Sequence, residues 1–184
     1  MRIVGGRFRG KQLATPKSQA TRPTSDRMRE TMFNVLAHSF DNPVEDARVL
    51  DLFAGTGALG LEALSRGAKY CCFVEEAVEA RGLIRRNVEA FGLMGATRIL
   101  RRDALTLGSV GTMKPFSLLF ADPPYMKELG EKALASAGEG GWLLDGALCV
   151  LEEDAKASVH VPVGFEVLDE RQAGESQFMV LRWH

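Results

Sequence analysis

The sequence has few cysteines, few histidines and no long apolar run. Its 184 residues include three cysteines and three histidines, and neither set has the spacing of a zinc site. We therefore expect no metal, and we expect Cys71, Cys72 and Cys149 to be thiols in a reducing cytoplasm. No apolar segment approaches the length of a membrane span, and the N-terminus has no signal-peptide pattern. These absences predict a cytoplasmic protein without a membrane partner.

Internal repeats, low-complexity tracts and a recognisable interdomain linker are also absent. A chain of 184 residues with 46% hydrophobic and 26% charged residues suits one globular domain with its own core. We predict a single domain over residues 1–184, made of a basic N-terminal arm (1–23) and a core (24–184). We expect the protein to be a monomer.

The net charge of −1 hides a strong asymmetry along the chain. Residues 1–30 carry a net charge of +6 and the remaining 154 residues carry −7. A basic arm on an acidic body is typical of nucleic-acid binding. The alternative is a solvated tail, but the glycines and alternating apolar residues at its start favour a β-hairpin. The predicted RNA-binding residues are Arg2, Arg7, Arg9, Lys11 and Arg22.

Strands and helices alternate along the rest of the sequence. Such alternation predicts an α/β fold with a mostly parallel sheet. The last two strands are joined by a short connection, so we expect them to pair antiparallel. The predicted strands are 48–53, 69–75, 97–102, 116–121, 147–152, 165–170 and 177–183. The predicted helices lie near 57–66, 77–91 and 128–137, after a helix that contains Met28 and Leu36.

A glycine-rich turn follows the first predicted strand, in the pattern Asp51-x-Phe53-x-Gly55-x-Gly57. Glycine lets the backbone turn tightly and approach a ligand closely. Acids then end the next three strands, at Glu75, Asp103 and Asp122. Because parallel α/β sheets bind ligands at the carboxyl ends of their strands, this set predicts one ligand-binding crevice.

Asp122-Pro123-Pro124-Tyr125 follows the apolar strand at 116–121. The prolines fix φ and remove two amide donors, so the segment offers a carboxylate, carbonyls and an aromatic ring. Such groups suit a planar base that carries an amino group. The alternative is an ordinary turn that ends a strand, and the other strand-end acids favour the functional interpretation.

Gly55, Gly57 and Gly60 also match the G-x-G-x-x-G pattern of dinucleotide sites. Such sites bind a pyrophosphate, which the Asp51 carboxylate would repel. S-adenosylmethionine has an ammonium, a sulfonium and a ribose diol but no phosphate. We expect Asp51 to face its ammonium side, Glu75 the ribose and Asp103 the adenine.

These motifs resemble motif I and motif IV of class I methyltransferases. Three further segments, 1–10, 22–34 and 59–68, are similar to the bacterial RsmD family, which methylates N2 of one guanine in 16S ribosomal RNA. The resemblance implies a Rossmann-like class I methyltransferase fold with a seven-stranded sheet and an antiparallel last strand, plus the N-terminal β-hairpin. It implies S-adenosyl-L-methionine as cofactor and 16S rRNA as partner, within the small ribosomal subunit or an assembly intermediate.

The resemblance also assigns site residues. It places Arg22 and Thr24 at the closure of the site, while residues 138–184 match only loosely and receive no function. Glu76 and Ala77 depart from the family, where a basic and then an acidic residue are common. The predicted cofactor-binding residues are Asp51, Ala54, Gly55, Thr56, Gly57, Glu75, Asp103 and Ala104. The predicted catalytic residues are Asp122, Pro123, Pro124 and Tyr125.

Two alternative functions stay open. A DNA amino-methyltransferase of the N6-adenine type shares the Asp-Pro-Pro-Tyr chemistry, but this chain has no spare segment for target recognition. A non-enzymatic RNA-binding module would explain the basic arm, but it would not explain the strand-end acids around the glycine turn.

Overall fold

The fold is built on one sheet of seven strands, seen in a computed structural model that describes residues 1–17 and 25–184. Arg22 and Thr24 lie outside the described residues. The strands are β1 (Arg48–Leu52), β2 (Tyr70–Val74), β3 (Thr97–Leu100), β4 (Phe116–Ala121), β5 (Leu143–Asp154), β6 (Phe165–Ala173) and β7 (Ser176–Trp183). The helices are α1 (Asp26–Ser39), α2 (Ala58–Ser65), α3 (Val78–Ala90) and α4 (Leu129–Glu139). Within the described residues, no helix is long and apolar enough to cross a membrane.

The strand order is β3-β2-β1-β4-β5-β7-β6. Strands β1 to β5 pair in parallel, whereas β7 is antiparallel to both of its neighbours, β5 and β6. The predicted parallel sheet and antiparallel last strand are therefore confirmed. The order reverses between β1 and β4, and ligands of open α/β sheets bind beyond the carboxyl ends of the strands at such a point.

Both faces of the sheet are covered. One apolar cluster joins α1, α2, α3 and the N-terminal arm to side chains such as Val49, Phe73 and Phe120. The other joins α4 and the loop after β3 to side chains such as Leu50 and Leu119. Val49 and Leu50 are adjacent in β1 and face opposite sides, as the pleat requires. A strand buried on both sides reads as a continuous apolar run, which is why the sequence pattern identified these strands.

The predicted N-terminal β-hairpin takes a less regular form. A single antiparallel bridge joins Arg2 and Gln12, and the Ile3 amide donates to the Lys11 carbonyl at 3.0 Å. Turns occupy the residues between them, where Gly6 and Gly10 have φ of 78° and 87°. The arm is therefore a hairpin-like loop without a regular pair of strands, because these glycine conformations do not continue an extended ladder.

Strand β5 is longer than predicted, beginning at Leu143 and ending at Asp154. Gly146 lies within it with φ of 83°, and the register with β4 shifts between Phe116 and Leu118. A glycine within a strand pattern is typical of such an irregularity. Strand β3 is shorter than predicted and ends at Leu100, so Arg101 and Arg102 lie in the loop that follows it.

Candidate cofactor and target site

The glycine-rich turn connects β1 to α2. Gly55 and Gly57 have φ of 59° and 81°, a region that residues with a Cβ rarely adopt. The turn closes on itself through a 2.8 Å hydrogen bond from the Gly57 amide to the Ala54 carbonyl. A Cβ on Gly60 would lie 2.5 Å from the Phe73 ring. This third glycine therefore permits close packing of α2 on β2.

Glu75 lies directly after β2, beside the glycine-rich turn. Its Oε1 accepts a hydrogen bond from the Gly55 amide at 2.8 Å, and its Oε2 accepts one from the Ala77 amide at 2.9 Å. The side chain is half-buried. The structure therefore brings Glu75 and Gly55 together, as the two motifs predicted, and gives the carboxylate a role in holding the turn.

Asp51 lies within β1, with 1% of its surface exposed. Its Oδ2 accepts a 3.0 Å hydrogen bond from the Gly60 amide, so the carboxylate lies beneath the start of α2. Burial raises the pKa of Asp51 well above its usual range, although the bond from Gly60 opposes the shift. The predicted contact with an ammonium group stays a prediction. The structure adds that Asp51 supports the first turn of α2.

Asp103 follows β3 and caps the short 3₁₀ helix Ala104–Thr106, its Oδ1 accepting from the Leu105 amide at 2.9 Å. Ala104 is buried and Asp103 is half-buried. The strand order places the ends of β3, β2, β1 and β4 side by side. At about 4.8 Å between strands, the row from Asp103 past Glu75 to Asp122 spans roughly 14 Å, which is enough for an extended small molecule.

The Asp-Pro-Pro-Tyr segment leaves β4 next to the glycine-rich turn, because β1 and β4 are paired strands. Asp122 is half-buried, Pro123 is buried and Pro124 is exposed. The Tyr125 hydroxyl donates to Glu152 Oε1 at 2.7 Å and lies 2.8 Å from Ser176 Oγ. The hydroxyl is therefore anchored to the sheet. Stacking of its ring on a base stays a prediction.

Two buried acids at the end of β5 support this segment, and sequence analysis did not find them. Glu152 and Glu153 are 1% and 3% exposed. Glu153 Oε1 accepts from the Met126 amide at 3.0 Å, while Met126 has φ of 63°. A possible signal was the pair of glutamates that ends an apolar strand, since charged residues are almost never fully buried unless paired.

The basic arm is docked on α2 through another buried acid, Glu62, which is 0% exposed. Its carboxylate accepts from the amides of Val4 and Gly5 at 3.0 and 2.9 Å and from Arg66 Nε at 2.8 Å. Arg29 Nε lies 3.5 Å from the same carboxylate. The arm is therefore attached to the core over at least this stretch, which argues against a solvated tail.

Four of the predicted RNA-binding side chains are exposed on this docked arm, and the fifth, Arg22, lies outside the described residues. The Phe8 ring packs on Phe91, the residue directly after α3, with centroids 5.2 Å apart. The Arg7 guanidinium lies 4.6 Å from the Phe8 ring centroid. The aromatic ring thus stabilises the arm against α3. The exposed basic residues are Arg2, Arg7, Arg9 and Lys11.

The three cysteines are free thiols buried in the sheet. Burial raises the pKa of Cys72 to about 12, although nearby arginines oppose the shift. These thiols are thus poor nucleophiles and poor metal ligands. In the described part of the chain, three potential metal ligands come within 4.8 Å of one another, namely Glu128, Glu131 and His160. Glu128 and His160 are exposed, and the group lies outside the row of strand-end acids.

The residues at the strand ends fit S-adenosylmethionine. Half-buried carboxylates at Glu75 and Asp103 suit hydroxyl and amino donors. Among the described residues, a Cβ built on Gly55 meets only one atom, the Phe53 carbonyl oxygen at 3.9 Å. The turn is therefore accessible at the point where a ligand would approach its backbone. The acidic character of the row suits a cationic ligand better than a phosphate.

Comparison with known proteins identifies relatives over almost the whole chain. The family model described as "Conserved hypothetical protein 95" matches residues 1–182. Ribosomal RNA small subunit methyltransferase D of Escherichia coli is 37% identical over 177 residues, covering 95% of this chain and 86% of the relative. The Haemophilus influenzae protein of that name is 31% identical, covering 95% of this chain and 89% of the relative. The solved structure of Escherichia coli yhhF matches with a TM-score of 0.83 and 34% identity, covering 100% of this chain and 97% of that one.

Fold and site together define a class I methyltransferase, with S-adenosylmethionine as its cofactor. The assignment to this class is based on the sheet order, the glycine-rich turn and the acid after β2. Within it, the chain belongs to the family of ribosomal RNA small subunit methyltransferase D. The resemblance seen in the sequence is therefore confirmed.

Proposed function

We propose that this protein transfers a methyl group from S-adenosylmethionine to the N2 amine of a guanine in 16S ribosomal RNA. Membership of the family supports the methyltransferase activity and the ribosomal RNA substrate. The amino group as acceptor, and guanine N2 in particular, are our proposal. The observation that carries it is the position of Asp122, directly after β4 and beside the glycine-rich turn on β1.

The amino group of guanine is a poor nucleophile because its lone pair is delocalised into the ring. Asp122 and the Pro123 carbonyl can each accept one N–H of such an amine. This arrangement would hold the nitrogen with its lone pair free to react. Correct positioning of two reactants lowers a barrier by about 7–11 kcal/mol at most. The rigidity of two consecutive prolines suits this task.

S-adenosylmethionine, when bound, supplies an electrophilic methyl group on its sulfonium. Methylation of an amine puts positive charge on the nitrogen and leaves a proton to be removed. The Asp122 carboxylate is the group assigned to stabilise that charge and to accept that proton. Gly55, Glu75, Asp103 and their neighbours would hold the cofactor. Tyr125 would stack on a base flipped out of its helix or loop.

Methyl transfer from tritiated S-adenosylmethionine to RNA tests the proposal. The substrates are unmethylated 16S rRNA and 30S particles from cells that lack the methyltransferase, and the product is identified by nucleoside analysis. We expect N2-methylguanosine. DNA with N6-adenine target sites serves as the comparison substrate, and N6-methyladenine in DNA without methylation of RNA would overturn the proposal in favour of the alternative.

The docked arm is our proposed RNA-binding surface. Its partner would be 16S rRNA, within the small ribosomal subunit or an assembly intermediate in the cytoplasm. The double variant Arg7→Gln/Arg9→Gln should weaken RNA binding and flatten its salt dependence. Each lost phosphate contact removes about 0.7–0.9 from the slope of log affinity against log salt. Substitution is a cleaner test than deletion, because deletion would also remove the Val4 and Gly5 amides that Glu62 binds.

Lys114→Gln/Lys132→Gln is the matched control. These exposed lysines lie in the loop before β4 and on α4, whose apolar residues pack on the other face of the sheet from the arm. Their loss should leave the slope unchanged. Equal slopes for the wild-type protein and the arm variant would show that the arm does not contact phosphates.

A further inference from the structure

One buried amide joins the N-terminal arm to the glycine-rich turn. Asn87, in the second half of α3, is 2% exposed. Its Nδ2 donates to the Thr56 carbonyl at 3.0 Å and to the Ala14 carbonyl at 3.3 Å, and its Oδ1 accepts from the Ala14 amide at 2.7 Å. A side chain with both donor hydrogens and an acceptor engaged in a buried site has one orientation, so it fixes the groups that it binds.

The two ends of this bridge have different assigned tasks. Thr56 lies in the turn that would hold the cofactor, and Ala14 directly follows the hairpin-like loop that carries the exposed cations. The start of the arm reaches the turn as well, because the Thr56 hydroxyl lies 3.6 Å from Met1 Sδ. The arm therefore touches the same turn residue directly at Met1 and through Asn87 at Ala14.

The other attachments of the arm do not involve the turn. Ser65 Oγ accepts from the Phe8 amide at 3.0 Å and donates to the Gly5 carbonyl at 2.6 Å. Glu62 binds the Val4 and Gly5 amides. These contacts hold the arm on α2 alone. Among the side chains that the structure describes, Asn87 is thus the one that hydrogen-bonds both to the arm and to the glycine-rich turn.

We propose that Asn87 is a positioning residue that couples RNA binding on the arm to cofactor binding on the turn. The inference rests on the proposed function. RNA that binds the exposed cations of the docked arm favours the docked state, and the docked state keeps Ala14 on Asn87 and Asn87 on Thr56. By linkage, a cofactor that needs this form of the turn must favour RNA binding to the same extent.

The affinity of labelled S-adenosylhomocysteine, measured by equilibrium dialysis, tests the coupling. The affinity is measured first without RNA and then with 16S rRNA or 30S particles, whichever of the two the protein methylates. For the wild-type protein we expect RNA to tighten binding by about five-fold or more, within the usual range of coupling. Unchanged affinity in the presence of RNA would overturn the inference, and this result needs no variant.

Asn87→Ala should weaken binding of S-adenosylhomocysteine without RNA and bring the ratio of the two affinities close to one. Ser65→Ala is the matched control, because it removes two contacts of the arm and none of the turn. It should weaken RNA binding but keep the affinity for S-adenosylhomocysteine measured without RNA. Thermal melting confirms that both variants are folded. A folded Asn87→Ala protein with the full wild-type ratio would contradict the role of Asn87.

The outcome is separable from that of the proposed function. A wild-type protein that methylates guanine N2 but shows no coupling refutes the inference alone. A wild-type protein that does not bind S-adenosylhomocysteine, or that forms no N2-methylguanosine, refutes the proposed function.

Discussion

The two loops that leave β1 and β4 are neighbours in space but are held in different ways. The glycine-rich turn after β1 is held by Glu75, which ends the adjacent strand β2, and its helix is supported by Asp51 from β1 itself. The Asp-Pro-Pro-Tyr segment after β4 is held by Glu152 from β5 and Ser176 from β7. These partners are 27 and 51 residues away from Tyr125.

The difference matches what each loop is proposed to bind. Glycines give the cofactor side a backbone that a ligand can approach and that nearby carboxylates can hold by its amides. Prolines give the target side a rigid backbone that lacks two amide donors, so that carbonyls and the Asp122 carboxylate would meet the proposed substrate amine. We infer that the first loop serves binding and the second serves the reaction, and the predictions that follow test this division.

The largest effect is expected on the target side. Asp122→Ala should lower the rate of methyl transfer by about 10²–10³-fold, the usual cost of losing one well-placed electrostatic stabiliser. Affinities for cofactor and RNA should change little, because the carboxylate is proposed to act mainly in the transition state. Single-turnover kinetics at saturating cofactor measure this rate.

Asp122→Asn is the matched variant, since its carbonyl still accepts a hydrogen bond. It should retain more activity than Asp122→Ala. A near wild-type rate for Asp122→Ala would return this segment to the role of an ordinary turn and would remove the proposed division between the loops.

On the cofactor side, Glu75→Ala should weaken binding of S-adenosylmethionine by about ten- to a hundred-fold. Loss of a charge-assisted hydrogen bond costs about 1.5–3 kcal/mol, and the turn also loses the acceptor of the Gly55 amide. Titration calorimetry gives the affinity. Glu76→Ala, at the exposed neighbouring acid, is the control and should bind normally. Wild-type affinity in a folded Glu75→Ala protein would refute the assignment.

The smallest effect concerns stability and Asp51. Because burial raises the pKa of Asp51 in the folded protein, the folded state binds a proton that the unfolded state releases. This contribution to stability is present at low pH and is lost as pH rises from about 4, the unfolded value, through the folded pKa. Asp51→Asn can still accept from the Gly60 amide and should lack this pH dependence.

Denaturant unfolding at pH 5 and pH 8 provides the measurement. The free energy of unfolding of the wild-type protein, relative to that of Asp51→Asn, should be lower at pH 8 than at pH 5. The same relative stability at both values would show that the Asp51 carboxylate is not destabilised by burial. A weaker affinity of the variant for S-adenosylmethionine would support the predicted contact with the ammonium group.

Much of the fold could be predicted because its signals are local. The apolar run at 116–121 coincides with β4, and the helix that was predicted over 77–91 runs from Val78 to Ala90. Less could be predicted where a glycine changed the backbone, as at Gly146 within β5 and in the N-terminal arm. A glycine in the sequence shows that several backbone conformations are allowed at its position. It does not show which of them the folded chain adopts.

The sequence by itself determined the class of fold, the family and the row of acids that end successive strands. Each of these depends on residue types at short spacing, and the parallel sheet then brings the strand ends together. Only the tertiary structure decided how the loops and the arm are held. Glu62, Asn87, Glu152 and Glu153 hold them from distant positions in the chain. A buried polar side chain takes its role from the partner that folding places beside it, and no local pattern specifies that partner.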